Sequence, residues 1–359
     1  MENKKAMKKD IVVVSGSSGL IGSVLIKKLA GKYQVIGLDH AKAPYPPREA
    51  ECITIDITSD ENVKEVFKDI KNRYGSRIVS FVHLAAYYSF SEKSSPLYDK
   101  ITVKGTERLL KYLQDFEVEQ FLFTSSMIVY KPSVPGVQIN EQSPLEPKWG
   151  YPKSKVASEK IIHNQRDHIP VMDLRVAGVY TDEGNSIPIA NQVQRIYEKQ
   201  ITAYLFPGDP SHGSTFVHLD DLISAMVKAI EKRDEFSSET ILNIGEDKTL
   251  SYQELQSIIS CELFGKELKV IRIPNIMAKL GAFTQNIFGN NFIKPWMIDI
   301  ADDHYELDSS KAKEILGWQP LHSLSATLPK MITTLKKAPL KWYQENKLDP
   351  PSKLKKRRD

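Results

Sequence analysis

The sequence predicts an α/β protein: a Rossmann-type doubly wound parallel sheet with a smaller, mostly helical C-terminal substrate domain. Short apolar runs rich in β-branched residues alternate with helical patterns, which places strands near 11–14, 34–39, 52–55, 78–84, 120–125 and 171–176. Such alternation indicates right-handed crossovers between parallel strands. The first run also leads directly into a glycine-rich turn, and a helical pattern follows that turn.

The glycine-rich turn predicts a binding site for a dinucleotide phosphate. Glycines permit a tight turn and a close approach of the backbone to the ligand, and the following helix presents free N–H groups to a pyrophosphate. A glycine triplet also occurs in ordinary strand–helix turns, so the prediction depends on the buried strand before it and the helix after it. The predicted contacts are Gly16, Ser18, Gly19, Leu20, Ile21 and Gly22.

Two acids near the ends of later strands predict which dinucleotide binds. Asp39 ends the second predicted strand, where a carboxylate accepts hydrogen bonds from the adenosine ribose hydroxyls. Its charge repels a 2′-phosphate, which favours NAD over NADP. Asp56 ends the third predicted strand and suits the adenine amino group. The sequence therefore predicts NAD as the cofactor, and it predicts no metal site.

Composition and charge argue against several classes of protein. The chain has 359 residues, two cysteines and a formal net charge of +4. Two cysteines are too few for a disulfide framework or a zinc cage, which predicts a reducing, cytoplasmic location. No apolar run approaches the roughly 18–20 residues that span a bilayer, so no integral membrane segment is expected. Much of the positive charge lies at the ends, so the body is not expected to bind nucleic acid.

The chain is predicted to form two interleaved domains and a basic tail. Residues 8–180 and 214–247 form the predicted NAD-binding domain, and residues 181–213 and 248–335 form the substrate-binding domain. Residues 336–359 carry nine Lys/Arg and three Asp/Glu, and the end of this tail is predicted to be disordered. A solubilising role for the tail is favoured over weak contact with an anionic membrane surface.

Two further segments carry predictions. The lysines before residue 10 form a predicted solvated leader, since no signal-peptide pattern follows them. Apolar residues from Pro274 to Phe292 recur near helical period. Burial against the substrate pocket or a partner subunit is favoured there over contact with a membrane surface.

A serine, a tyrosine and a lysine form the predicted catalytic group. Ser126 ends a buried strand, and ligands of doubly wound sheets bind beyond the carboxyl ends of the strands. Tyr151 and Lys155 are four residues apart on the next predicted helix, so they share one helix face. A nearby ammonium favours the phenolate and lowers a tyrosine pKa from its usual value of about 10. We therefore expect Tyr151 to transfer the proton and Ser126 to orient the substrate oxygen.

As a set, these motifs resemble the extended short-chain dehydrogenase/reductases of the NAD-dependent epimerase/dehydratase group. The resemblance runs from Ile11 to about Ile332 and implies an NAD domain interleaved with a substrate domain. It also implies a homodimer formed through the helices that contain Gly105 and Lys155. Besides the glycine turn and the Tyr151–Lys155 pair, it rests on His83-Leu-Ala-Ala86, Gly105-Thr106, Thr124-Ser-Ser126, Leu174-Arg175, Val179-Tyr180, Phe216-Val-His-Leu-Asp-Asp221, Asn243-Ile-Gly245 and Lys311 to Trp318.

Further contacts are predicted around these motifs. For the cofactor they are Ile57, Leu84, Ala85, Ala86, Thr124, Tyr151, Lys155 and Ala177. For the substrate they are Tyr87, Ser125, Gly178, Trp149 and His212.

Several departures from the family pattern bear on the substrate. Met127 and Ile128 stand where sugar-nucleotide 4,6-dehydratases carry an acidic pair, so dehydratase activity is not expected. Gly178 and Ser214 stand where nucleotide-sugar epimerases usually carry an asparagine and an arginine. Because arginine binds diphosphate through paired hydrogen bonds, its replacement weakens the prediction of a UDP-sugar substrate.

The sequence therefore predicts an NAD-dependent epimerase or oxidoreductase that moves a hydride between nicotinamide and an alcohol or ketone carbon of a small-molecule substrate. Sugar-nucleotide epimerisation and simple dehydrogenation or reduction, of a hydroxysteroid or ketone for instance, remain balanced alternatives. A non-catalytic NAD(H)-binding regulator is the third. The intact Ser126, Tyr151 and Lys155 argue against the regulator, because a sensor needs no proton relay.

Overall fold

The computed structural model of the chain describes residues 9–40, 47–90, 92–274, 276–279 and 294–355. Residues 1–8 of the predicted solvated leader, residues 275 and 280–292 of the apolar stretch and the last four residues of the basic tail lie outside the described residues.

Parallel strands dominate the described structure. In chain order the strands are β1 (Ile11–Ser15), β2 (Gln34–Asp39), β3 (Glu51–Thr54), β4 (Arg77–Ile78), β5 (Ser80–His83), β6 (Glu117–Val118), β7 (Phe121–Ser126), β8 (Val171–Val176), β9 (Gly178–Tyr180), β10 (Leu205–Phe206), β11 (Gly213–Ser214), β12 (Phe216–His218), β13 (Glu239–Ile244), β14 (Leu250–Ser251) and β15 (Ile271–Arg272). Seven of them form one parallel sheet in the order β13-β8-β7-β5-β1-β2-β3. The order reverses direction at β1, so the predicted doubly wound Rossmann-type sheet is confirmed.

Helices cover both faces of this sheet. In chain order they are α1 (Leu20–Leu29), α2 (Asp60–Tyr74), α3 (Lys104–Leu113), α4 (Gly150–Gln165), α5 (Ile187–Tyr197), α6 (Leu219–Glu231), α7 (Tyr252–Phe264), α8 (Pro295–Ile300), α9 (Ser310–Leu316), α10 (Leu324–Lys337), α11 (Pro339–Glu345) and α12 (Ser352–Lys355). Successive residues of a strand point to opposite faces. Val12 and Val14 accordingly pack with α1 and α6, whereas Ile11 and Val13 pack with α2 and α3.

A third apolar cluster lies away from the sheet and joins helices of the C-terminal half. Its members come from α5, α7, α10 and α11, and they include the fully buried Trp342 and Tyr343. Helix α9 belongs to the predicted substrate domain, yet its Leu316 and the following Trp318 pack in the cluster that contains Val12. The segment from Lys311 to Trp318, the last of the family motifs, is therefore part of the helical layer that covers one face of the sheet.

Local differences from the prediction have simple causes. The apolar pattern of residues 216–231 predicts one helix, but Phe216–His218 first pairs with β9 as strand β12. The end of the basic tail was expected to be disordered, but residues 352–355 form α12, and Leu354 packs on the third cluster. One leucine in a charged run is sufficient to dock a single turn on an apolar surface. Within the described ranges, no helix is long and apolar enough to cross a membrane.

Candidate active site

The turn between β1 and α1 has a shape that only glycine permits. Gly16 has a φ of +76°, and a Cβ there would lie 2.9 Å from the backbone nitrogen of Ala85. A Cβ at Gly22 would lie 2.2 Å from the carbonyl oxygen of Gly16. In the described structure the hydroxyls of Ser17 and Ser18 are buried without a hydrogen-bond partner. This tight turn with two unpartnered hydroxyls fits a dinucleotide phosphate at the start of α1.

The two predicted acids are held in place by backbone donors. Asp39 accepts hydrogen bonds of 2.8 Å from the backbone N–H groups of Ser18 and His40. Asp56 accepts from the backbone N–H and the hydroxyl of Thr58, and these bonds lower the pKa of the Asp56 carboxyl. Both acids are therefore oriented at the carboxyl ends of β2 and β3, beside the glycine turn, where they suit the adenosine half of NAD.

A cavity of about 1190 Å³ opens beyond the carboxyl ends of the central strands. It brings together most of the predicted residues, from both the cofactor set and the substrate set. Those that line it are Leu20, Ile21, Leu84, Ala86, Thr124, Ser125, Ser126, Trp149, Tyr151, Lys155, Ala177, Gly178 and His212. Those that do not line it are Gly16, Ser18, Gly19, Gly22, Asp39, Asp56, Ile57, Ala85 and Tyr87.

Tyr87 was predicted to contact the substrate, but the cavity is lined by its neighbour Tyr88. The Tyr87 hydroxyl donates to Glu92 at 2.8 Å, and its ring lies 5.1 Å from that of Tyr98. Consecutive side chains of an extended segment point in opposite directions, so only one tyrosine of the pair can face the cavity.

Helix α4 carries the tyrosine and the lysine. Lys155 is 2% exposed, and its Nζ lies 5.8 Å from the centre of the Tyr151 ring and 4.7 Å from that of Phe123. The ammonium donates a hydrogen bond of 2.8 Å to the backbone carbonyl of Thr124. The lysine is thus locked beneath the tyrosine, as the four-residue spacing predicts.

Burial shifts the pKa of Tyr151 in the direction opposite to the one expected from the sequence. Removal from water disfavours a charged group, and it raises the pKa of Tyr151 above its ordinary value. The same effect lowers the pKa of Lys155 to about 8, opposed by the carboxylates of Asp173 and Glu159. The expected lowering of the tyrosine pKa by the neighbouring ammonium is therefore outweighed by burial. A phenolate here requires additional positive charge, which the nicotinamide of bound NAD carries.

A buried polar network lies behind Lys155. Arg175 on β8 makes a two-point ion pair with Glu159 on α4, at 2.7 and 3.2 Å. The hydroxyl of Ser125 donates to the same carboxylate, so this predicted substrate contact is already engaged inside the protein. Asp173 is also buried, and removal from water together with the negative charge of Glu159 raises its pKa. Sequence reasoning missed Glu159 and Asp173, although Glu159 follows Lys155 at the same four-residue spacing.

Aromatic side chains form one wall of the cavity beside Tyr151. The Tyr88 ring meets that of Tyr151 edge-on at 4.8 Å, and the Trp149 ring lies 5.7 Å from it. Trp296 of α8 packs on Trp149 at 5.4 Å, and Phe90 contacts both tryptophans. This wall was only partly predicted, because Tyr88 and Phe90 are distant from Trp296 in the chain.

Two ion pairs flank the same wall. Lys148 contacts Asp303 at 2.6 Å, and burial raises the pKa of the Asp303 carboxyl. His212 Nδ1 lies 2.9 Å from a carboxylate oxygen of Asp302. The side chains of Lys148 and His212 are therefore already partnered within the protein.

One further group has the spacing of metal ligands among the residues that the structure describes: His218, Asp220 and His322. The two imidazole rings are stacked, with centres 4.1 Å apart and planes at 20°. Their in-plane lone pairs therefore run side by side and do not converge on one ion. His218 Nδ1 also accepts the backbone N–H of Asp220 at 3.2 Å. We assign no metal to this group.

Known proteins resemble this chain over most of its length. The UDP-glucose 4-epimerase of Lactobacillus helveticus is 27% identical over 87% of this chain and 92% of its own. The sterol-4-alpha-carboxylate 3-dehydrogenase (decarboxylating) of Candida albicans is 21% identical over 86% of this chain and 93% of its own. The crystal structure of UDP-glucuronic acid 4-epimerase from Bacillus cereus, in complex with UDP-glucuronic acid and NAD, superposes with a TM-score of 0.70. It is 21% identical, over 91% of this chain and 99% of that one.

The family assignment rests on a sequence model that covers more than half of the chain. The sequence model described as "NAD dependent epimerase/dehydratase family" matches residues 12–245, from the first strand to the end of the last sheet strand. That range contains the glycine turn, Ser126, Tyr151 and Lys155. The predicted family, the predicted enzyme class and NAD as the cofactor are confirmed. The chain belongs to the NAD dependent epimerase/dehydratase family.

Proposed function

We propose that this protein oxidises or epimerises an alcohol carbon of a small substrate by reversible hydride transfer, with Ser126, Tyr151 and Lys155 as its catalytic residues. The convergence of these three side chains on one cavity carries the proposal. Leu20 and Ile21 of the glycine turn line the same cavity, so a cofactor held at the turn reaches the same space.

Each residue has a role that follows from its position. When bound, NAD supplies the hydride acceptor. Ser126 ends β7 and donates a hydrogen bond to the substrate oxygen, which orients the reacting carbon. The phenolic oxygen of Tyr151 takes the hydroxyl proton as the hydride leaves the same carbon, and it returns the proton in the reverse direction. Lys155 stabilises the phenolate by its charge, and the Thr124 carbonyl fixes its position.

A product assay separates epimerisation from net oxidation. An epimerase returns its hydride to the opposite face of the same carbon, so it forms product without accumulating NADH. A dehydrogenase forms one NADH for each ketone. We expect one of these signatures when the NAD-loaded protein is incubated with UDP-glucose or a hydroxysteroid and products are separated by chromatography. Neither product nor NADH with substrates that bind would contradict the proposal.

The relatives favour a sugar nucleotide, since most of their names denote UDP-glucose 4-epimerases. Two positions favour the second candidate, net oxidation of a less polar alcohol. Gly178 and Ser214 line the cavity where the family resemblance implies an asparagine and an arginine that hold the nucleotide. A Cβ at Gly178 would lie 2.7 Å from the Phe216 ring, so a larger side chain does not fit there without rearrangement. The sterol dehydrogenase relative agrees with this candidate.

The assembly and the location of the protein remain predictions. The homodimer through α3 and α4, the cytoplasmic location and the solubilising role of the tail, with weak contact with an anionic membrane surface as the alternative, follow from sequence reasoning alone. Light scattering on the purified protein tests the dimer, for which we expect twice the chain mass of 40.7 kDa.

A further inference from the structure

The cavity wall away from the catalytic residues is largely apolar. It is built by α5, by α8 and by the segments around β10 and β15. The side chains that form it are Ile187, Ile189, Phe206, Ile273, Met297 and Ile298. Burial of apolar ligand surface against such a wall is favourable by about 25 cal/mol per Å². Asn191 and Gln192 of α5 also line the cavity, but their amide N–H groups already donate to Ile187 and Gln256, so the hydroxyls of a sugar ring would find few free partners along this wall.

The cationic side chains that line the cavity are of two kinds: some have an ionic partner or a catalytic role, and two have neither. Lys148 is paired with Asp303, and Lys155 belongs to the catalytic group. Arg195 on α5 and Lys347 after α11 have no carboxylate partner within the described ranges. The Arg195 guanidinium donates to Gln192, yet its Nε is buried without a hydrogen-bond partner. A partly buried guanidinium without an anion is costly, and a bound anion would offset that cost.

Lys347 is held at the cavity by its neighbours in the chain. The side-chain oxygen of Asn346 accepts the backbone N–H of Asn185 at 2.8 Å, just before α5. Gln194 of α5 donates to the backbone carbonyl of Asp349 at 3.2 Å. Lys347 lies between these two anchors with a φ of +55°, in the left-handed conformation that ends α11: its N–H donates to the carbonyl of Gln344, and the N–H of Leu348 donates to that of Tyr343. The C-terminal segment therefore contacts both ends of α5 and brings a second cation, Lys347, to the cavity that Arg195 lines.

We propose that the cavity takes an alcohol or ketone with a large apolar body and one carboxylate or phosphate group, which Arg195 and Lys347 bind. This inference rests on the proposed hydride-transfer function. Guanidinium binds either oxyanion through paired hydrogen bonds. The apolar body lies against the wall formed by α5 and α8, and the reacting oxygen meets Ser126 and Tyr151.

Calorimetric titration of the NADH-loaded protein tests the inference without turnover, because the reduced cofactor cannot accept a hydride from an alcohol. The probes are a hydroxysteroid carboxylate, its neutral methyl ester, farnesyl phosphate and UDP-glucose. We expect an acidic apolar probe to bind at least about tenfold more tightly than the ester. Arg195→Gln should abolish that preference while leaving the affinity for the ester unchanged. Lys341→Gln, on the exposed face of α11, is the control and should preserve the preference. The steroid and farnesyl probes then distinguish carboxylate from phosphate.

Three results would overturn the inference: tighter binding of UDP-glucose than of every apolar probe, equal binding of acid and ester, or unchanged preference in Arg195→Gln. A circular-dichroism melt of each variant identifies loss of fold, and Lys347→Gln then provides a second test on a residue at the cavity rim. Tight binding of the acid without any oxidation would count against the proposed reaction and not against the substrate class.

Discussion

Lys155 Nζ donates a hydrogen bond of 2.8 Å to the backbone carbonyl of Thr124, so helix α4 is tied to the end of strand β7. That bond fixes the ammonium beneath Tyr151 before any ligand is present. Burial lowers the pKa of Lys155 to about 8, which is still above neutral pH. The lysine can therefore carry its charge at neutral pH and support a phenolate.

The first prediction follows from this contact. Lys155→Met keeps the apolar stem but removes the ammonium, which we also expect to contact the nicotinamide ribose of the cofactor, so it should lose both turnover and affinity for NAD. The control is Lys153→Met, two residues earlier on α4, where the side chain is exposed. Fluorescence titration with NADH and a rate assay measure the two effects. Normal NADH affinity in Lys155→Met would contradict the ribose contact.

The second prediction concerns the proton. Tyr151→Phe removes the phenolic hydroxyl and leaves the ring to pack against Tyr88 and Trp149. The rate should fall by about 10²–10⁴-fold, the range for a positioned acid–base group, with little change in NAD affinity. The control is Tyr87→Phe, whose hydroxyl donates to Glu92 outside the cavity. Turnover of Tyr151→Phe close to that of the native protein would exclude this mechanism.

The parts of the site that were predicted are local in the chain. A strand, a glycine turn and a helix follow one another within Ile11–Leu29, and Tyr151 and Lys155 are one helical turn apart. Periodicity and spacing are sufficient to place such groups. The parallel sheet could be predicted for the same reason, since each strand–helix unit has its own pattern.

The parts that were missed depend on contacts between distant segments. Asp173 lies opposite Phe123 only because β8 pairs with β7 in one register. Trp149 meets Trp296 across a separation of more than a hundred residues, and Lys347 reaches α5 through the C-terminal segment. The direction in which the Tyr151 pKa is shifted could not be predicted from the sequence either, because it depends on burial, which no local pattern reveals.

The third prediction concerns cofactor choice. Asp39 accepts from the N–H groups of Ser18 and His40, which fix the carboxylate that is predicted to contact the ribose hydroxyls. The protein should bind NADH more tightly than NADPH, and Asp39→Ala should narrow the difference by removing the repulsion of the 2′-phosphate. Asp39→Asn, which keeps the size and loses the charge, should narrow it as well. Equal affinities for the two cofactors in the native protein would refute the role of Asp39.

The fourth prediction concerns the ion pair behind the active site. Glu159→Gln leaves the Arg175 guanidinium buried without its carboxylate, since the two side chains are 11% and 6% exposed. The free energy of unfolding should fall by about 3–5 kcal/mol, as for other broken buried pairs. Glu231→Gln breaks the exposed pair with Lys32 and should cost less than about 1 kcal/mol. Urea unfolding measures both, and equal costs would show that burial of the pair is unimportant.

The last prediction concerns pH and His83, which is fully buried in the sheet. Thr106 donates its hydroxyl to the carbonyl of Thr102, so it accepts from Nε2–H of His83, and Nδ1 accepts from Ser15. Burial lowers the pKa of this neutral imidazole to about 3, assisted by the charge of Lys155. Because the unfolded chain takes up the proton below pH about 6.5, His83 should reduce stability by about 1.4 kcal/mol per unit as the pH falls further.

His83→Gln removes the titrating group. Between pH 6.5 and 5 the free energy of unfolding should therefore fall less steeply in the variant, because its unfolded state takes up one proton fewer. The control is His163→Gln, which removes an exposed histidine of α4 and so tests whether the flattening is specific to the buried His83. Nitrogen NMR of the native protein gives a direct reading that does not depend on whether the variant folds. The imidazole of His83 should remain neutral at pH 5, and a protonated ring at that pH would show that the buried network accommodates charge.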